Sequence, residues 1–231
     1  DGKVELDACV MVSSSAGGAR AGAVAGVTNT ANPILLADRV RRETHHVMLI
    51  GPGAEALVTD PVASESLITD RSRASLDRWR AGRAADVEVA MGSNTVGAVA
   101  LDDDGNLAAA TSTGGRTGQW SGRVGDAPLP GLGTWADERV AISCTGVGEA
   151  FMEAGAAARL AFSLETGMPL DEAVQQMLDS VAGMTGEGGV IVVTADGRLA
   201  VGFNSPDMAY GIALSGSESS EIARAPFVRV Q

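Results

Sequence analysis

Thr95-Val96-Gly97-Ala98-Val99-Ala100-Leu101, then Asp102-Asp103-Asp104-Gly105-Asn106, then Leu107-Ala108-Ala109-Ala110-Thr111-Ser112-Thr113 is the stretch from which the fold is read. Two β-prone runs separated by a turn of the Asp-Gly type form an antiparallel hairpin. On its C-terminal side a Gly- and Pro-rich loop occupies residues 114–133, and residues 140–144 form a strand. Helices are expected over 149–164 and over 170–181, the second opened by Pro169. Three more strands, 190–194, 200–204 and 210–214, complete an antiparallel run, with Ala195-Asp196-Gly197 as the first turn. On the N-terminal side, small and acidic residues 84–94 read as a linker. Residues 64–83, with Leu67, Leu76 and Trp79, suit an exposed amphipathic helix, and 47–50 a short buried strand. A further helix starts at an Asn32 N-cap with Pro33 first and runs to Arg42. Strands 4–12 and 21–27 are joined by the Ser/Gly stretch 13–18. Strands flanking a central helical pair favour an α+β sandwich with mostly antiparallel sheets over a parallel βαβ series.

The totals agree with one such domain. The 231 residues are 45% hydrophobic and 20% charged, enough for a core without disulfide or metal staples. A net charge of −12 leaves no excess of positive charge for phosphates, which argues against nucleic-acid or anionic-membrane partners. The basic residues are 16 Arg and the single Lys3, a coding bias. Eight aromatics against 30 Gly call for a core of small aliphatic side chains in closely spaced layers. Cys9 and Cys144 are too few for a disulfide framework and are compatible with a reducing compartment, so a cytoplasmic location is expected. The longest apolar runs fall far short of the ~20 residues of a membrane-spanning helix.

Most chemistry-bearing patterns reduce to plain structure. Gly51-Pro52-Gly53-Ala54-Glu55-Ala56 with Asp70 downstream has the form of a dinucleotide-binding fingerprint. No second parallel strand follows, so it reads as a strand-to-helix turn. His45 and His46, the only histidines, point to opposite faces of an extended segment and make no metal pair. Asp102, Asp104 and Asn106 resemble the start of an EF-hand loop, but Leu107 stands where that loop needs Gly, so a hairpin turn accounts for them. Cys144 reads as a small buried residue. With so little His, a Ser-His-Asp or Cys-His mechanism lacks its base. A hydroxyl nucleophile could instead use a free α-amino group, which titrates near ~8. Thr95, after a polar linker, is the best-placed residue if the chain is cut just before it.

These residues carry a resemblance. Thr95 to Asp102, Gly105-Asn106-Leu107-Ala108-Ala109-Ala110-Thr111-Ser112-Thr113-Gly114-Gly115, and Gly122-Arg123-Val124-Gly125-Asp126 follow in the order and spacing of the plant-type asparaginase and isoaspartyl aminopeptidase family of N-terminal-nucleophile hydrolases. The likeness extends from Val4-Glu5-Leu6-Asp7-Ala8 through Asn32-Pro33-Ile34 to Phe203-Asn204-Ser205. It implies a single domain over 1–231 with an αββα four-layer sandwich, cleaved between Asn94 and Thr95 into an α portion, 1–94, and a β portion, 95–231. Thr95 would be the nucleophile and Thr113 its hydroxyl partner. Thr145 and the Gly146 N–H would form the oxyanion hole, Arg123 and Asp126 would hold the substrate α-carboxylate and α-ammonium, and Gly148 would line that pocket. Gly115, where the glycosylasparaginase branch has Asn, tips the choice toward L-asparagine and β-aspartyl dipeptides. The alternatives are a weak or silent member that binds amino acids, or a glycosylasparaginase.

The resemblance also implies a small-molecule amino acid or dipeptide substrate and a dimer of processed αβ units. No cofactor and no metal site is expected. Family chains carry a structural sodium ion, but its Asn-Ala-Gly-x-Gly-Ser segment and a first His-Gly-Gly-Ala-Gly strand lie upstream of anything present here. Asn94 replaces the usual Gly or Asp before the nucleophile, Met11 is followed by Val12-Ser13 where Asp-Gly is common, and Asp207 replaces a usual Gly.

Overall fold

The structure is a computed structural model, and it describes residues 2–13, 18–84, 95–214 and 221–223. Within them β1 (Leu6–Ser13) and β2 (Ala19–Val27) form an antiparallel pair. Helix α1 (Pro33–Glu43) follows, then β3 (Met48–Ile50), the short α2 (Gly51–Glu55), a 3-10 turn (Ser64–Leu67) and α3 (Asp70–Ala84). The hairpin is present as β4 (Val96–Leu101) and β5 (Leu107–Thr113), running antiparallel in continuous register. The Asp102 carboxylate closes its turn by accepting the backbone N–H groups of Asp104 and Asn106 at 3.1 and 2.7 Å. Then come β6 (Thr134–Ala136), β7 (Val140–Gly146), α4 (Gly148–Ala154), α5 (Ala156–Glu165), α6 (Leu170–Gly183), β8 (Gly188–Thr194), β9 (Leu199–Phe203), β10 (Tyr210–Ile212) and β11 (Glu221–Ala223).

The strands make two sheets that face each other, of order β3-β2-β1-β5-β4 and β6-β7-β8-β9, with β10-β11 apart. Among the described strand pairs only β2–β3 is parallel. Alternation along β1 explains the layering. Ala8 and Val10 point outward and pack with Val24, Leu36, Ala37 and Val40 under α1. Cys9 and Met11 point inward with Leu107, Ala109, Ala141 and Val193, between the sheets. The outer face of the second sheet is covered by α4, α5 and α6 around the fully buried Phe151 and Leu160. Inter-sheet contacts are dominated by Ala, Cys, Val and Met, as the scarcity of aromatics required. The architecture is an α+β sandwich of helices, sheet, sheet and helices.

Several expectations are corrected in detail. Asn32 stands at the α1 N-cap position, but its side chain makes no capping bond; its N–H donates to Thr30 Oγ1 at 3.2 Å, and Pro33 starts the helix. The strand at 48–50 lies at a sheet edge, with Ile50 65% exposed, and is not buried. The helix expected over 64–83 is split, because Thr69 caps a new start by accepting the Ser72 N–H at 3.1 Å. The helix expected over 149–164 is two helices, broken where Gly155 turns left-handed at φ 62°. Strand β6 lies between the loop expected over 114–133 and the strand expected over 140–144 and was not expected, and β10 leaves the β8–β9 sheet to pair with β11. The linker reading of 84–94 falls, beyond Ala84, outside the described residues. Gly51 to Ala56 is the expected strand-to-helix turn, ending in α2. Among the described residues no helix is long and apolar enough to cross a membrane.

Candidate active site

Register sets the first corner of the site. Asp7 on β1 is opposite Thr113 on β5, and Val96 on β4 is opposite Ser112, so Thr95 comes level with Thr113. Thr95 Oγ1 donates to Thr113 Oγ1 at 3.3 Å, and Thr113 Oγ1 also accepts the Gly115 N–H at 3.1 Å. Thr113 is buried, and Thr95 is half-buried where the described chain resumes. Asn94, named for self-cleavage, lies outside the described residues.

The second corner lies on the loop after Thr113 and on the first turn of α4. Arg123 donates from Nε and Nη2 to the two carboxylate oxygens of Glu149 at 2.9 and 2.8 Å, and Arg116 reaches the same carboxylate at 3.3 Å. The Arg123 fork holds the Glu149 carboxyl far below its ordinary range, at about 2. Asp126 differs. It is 5% exposed, its Oδ2 meets no described donor, and burial pushes its pKa up to about 6 although Arg123 pulls the other way. Gly148 is the close approach between the two parts. A Cβ there would stand 2.9 Å from both Arg123 Nη2 and Asp126 Oδ1, so only glycine admits the pair against α4.

Thr145 and Gly146 end β7 and pair with Gly189 and Gly188 on β8, directly before the turn into α4. The contacts thus run from Thr95 through Thr113 to Gly115, and from Arg116 through Glu149 and Arg123 to the Gly148–Asp126 approach. Among the described residues no group of three or more His, Cys, Asp or Glu is placed to hold a metal ion. The bland readings of other signals stand. His45 and His46 are exposed, and Cys144 is buried with its thiol pushed well up by desolvation.

A family model described as asparaginase matches residues 1–223. The chain belongs to the asparaginase family. It is similar to an isoaspartyl peptidase of Escherichia coli K12, at 41% identity over 220 residues covering 88% of this chain and 67% of the relative. It is also similar to an isoaspartyl peptidase/L-asparaginase of Rattus norvegicus, at 38% over 223 residues, 94% of this chain and 66% of the relative. A plant-type L-asparaginase of Pyrobaculum calidifontis matches at 40% over 233 residues, 96% and 77%. The matched stretch spans about two thirds of the first two relatives' length.

Sequence reasoning on this asparaginase-family chain gave no role to Glu149, Arg116, Asp7 or Glu5. Glu149 had a signal: a carboxylate in the first turn of a helix is placed to meet a cation that the preceding loop delivers. Asp7 and Glu5 had none, since their partners on the Arg123 turn lie more than a hundred residues away.

Proposed function

We propose that this chain is a threonine amidohydrolase that releases L-aspartate from L-asparagine and from β-aspartyl dipeptides. The observation that supports it is the juxtaposition of Asp126 with Arg123: a buried carboxylate with an unmet oxygen beside a guanidinium whose Nε and Nη2 already hold Glu149. A buried bare carboxylate calls for a cation, and the Nη1 edge of the fork suits a second carboxylate. An amino-acid head group supplies both charges at once.

The chemistry starts with processing. Thr95 Oγ attacks the Asn94 carbonyl, the N→O shift gives an ester, and water cleaves it to leave 1–94 and 95–231. The freed Thr95 amine takes the Oγ proton as Oγ attacks the substrate side-chain carbonyl. Thr145 and the Gly146 N–H receive the developing oxyanion, and Thr113 orients the nucleophile. The protonated amine passes its proton to the leaving ammonia or amino acid. Water then hydrolyses the aspartyl ester and restores Thr95. The resemblance extends the proposal to a dimer of processed pairs, and the sparse cysteines suit a reducing compartment such as the cytoplasm.

Mass spectrometry of the purified protein, read together with ammonia release from L-asparagine, tests this. The expected result is a fragment beginning at Thr95 and turnover that tracks its appearance. An intact chain after prolonged incubation, or a processed one that releases neither ammonia from asparagine nor an amino acid from a β-aspartyl dipeptide, overturns it.

A further inference from the structure

Two carboxylates outside this chemistry grip the turn that carries Arg123. Glu5, just before β1, accepts Ser121 Oγ–H at 2.7 Å and the Gly122 N–H at 2.8 Å, on the residues directly preceding Arg123. Asp7, the second residue of β1, accepts the Gly125 N–H through Oδ2 at 3.4 Å, two residues after Arg123. Its Oδ1 accepts the Gly26 N–H at 3.0 Å, where the β1–β2 register shifts. The turn closes on itself through the Arg123 N–H to the Trp120 carbonyl at 3.1 Å. With glycine at 122 and 125 it has little stiffness of its own.

Asp7 is 2% exposed, and burial raises its pKa against the pull of its two backbone donors and of Arg123. A buried carboxylate in that position stabilises the fold less than a neutral group would, which suits a role in placement. Asp7 is also opposite Thr113, whose hydroxyl meets that of Thr95. One residue therefore ties the Arg123 turn to the strand row that ends at the nucleophile.

We propose that Glu5 and Asp7 are positioning residues for Arg123, fixing its guanidinium relative to Thr95 by bracketing its turn from both sides. The inference rests on the reading of Arg123 as the head-group clamp. Glu5 and Asp7 belong to the 1–94 piece and the turn to the 95–231 piece, so the brace is a non-covalent hold across the two halves of the processed protein.

The test uses the full processed protein and its Glu5→Gln, Ser121→Ala and Asp7→Asn variants. KM and kcat are measured for L-asparagine and Kd for L-aspartate by calorimetry, alone and combined with Arg123→Ala. Glu5→Gln and Ser121→Ala should raise KM and Kd by about 3- to 10-fold, and Asp7→Asn by about 30-fold, with kcat within about twofold and cleavage at Thr95 unchanged. In the Arg123→Ala background the same substitutions should cost nothing further. If Asp7→Asn does not fold, the Glu5→Gln and Ser121→Ala variants decide the question. An active wild type whose Glu5→Gln and Ser121→Ala forms keep KM and Kd, or lose kcat alone, or lose affinity in full after Arg123 is gone, overturns the brace and leaves the asparaginase reading intact. A wild type that neither binds L-aspartate nor turns over overturns both.

Discussion

The Thr95–Thr113 corner and the Arg123–Asp126 corner of this molecule, proposed as nucleophile and head-group sites, are held by different physics. Thr95 directly precedes β4 and Thr113 ends β5, and ladder register brings their hydroxyls to 3.3 Å. The other corner is built from charges on a loop and one helical turn. Its two carboxylates, both near Arg123, titrate in opposite directions: Glu149 is pulled down to about 2 and Asp126 pushed up to about 6. Nearness to the same cation does not decide the outcome. Glu149 is half in water and forked by the guanidinium, whereas Asp126 is dehydrated and keeps an oxygen unmet. One carboxylate already has its cation, and in the proposed function the other takes the substrate ammonium.

If the corners are separable, each can be broken alone. Thr95→Ala should lower turnover by about 10⁴-fold and leave the chain uncut at 94/95, while L-aspartate still binds within a few-fold of wild type. Calorimetry beside a turnover assay reads both, and loss of aspartate binding in this variant would refute the separation. Arg123→Ala is the converse. It should weaken L-aspartate by on the order of 10²-fold while mass spectrometry still finds the fragment beginning at Thr95. A variant that also fails to process would show that Arg123 belongs to the nucleophile corner too.

The same contrast governs how much of the molecule was legible in the sequence. Hairpin β4–β5 was readable because its turn chemistry and β-prone runs are local. The Thr95–Thr113 juxtaposition follows from that hairpin alone, since the two residues sit at its open end. Strand β6 was missed because three residues carry no periodicity, and its place is set by pairing with β7. The break at Gly155 was missed because Glu149 to Leu164 keeps helical spacing through it; the left-handed backbone there is a tertiary choice. Arg123 and Asp126 came from a motif, but nothing local could show that Glu149 would fill one edge of the guanidinium. The charged corner depends on contacts across the chain, and a one-dimensional pattern carries the residues without their partners.

Asp126 gives a prediction with a definite sign. Holding an ammonium requires the charged carboxylate, so L-aspartate affinity should be flat above about pH 6 and fall about tenfold per unit below it. Stability should run the other way. With the folded pKa at about 6 against 3.8, the cost of ionising the buried group is absent below pH 3.8, grows from there to 6 and is complete above. Its full size is about 3 kcal/mol, from roughly two pKa units at 1.36 kcal/mol each. Asp126→Asn should therefore be more stable than wild type in urea at pH 7.5, with the gap closing toward pH 4. An equal gap at both pH values would mean that the carboxylate is not strained in the folded state.

Glu149 should give the smallest effect, and its size tells what the fork is for. The pair is partly solvated, with the Arg123 side chain 15% and the Glu149 side chain 47% exposed. Such pairs are typically worth about 0.2–1 kcal/mol, so Glu149→Gln should raise KM by no more than about fivefold and leave kcat alone. Because the folded pKa is depressed to about 2, the contribution is present above the ordinary carboxylate range and is lost only as pH falls toward 2. The Glu149→Gln penalty should accordingly be constant between pH 5 and pH 8, where the Asp126 limb appears. If it instead vanished below pH 6 together with that limb, the two carboxylates would be one coupled unit and the contrast between them would fail.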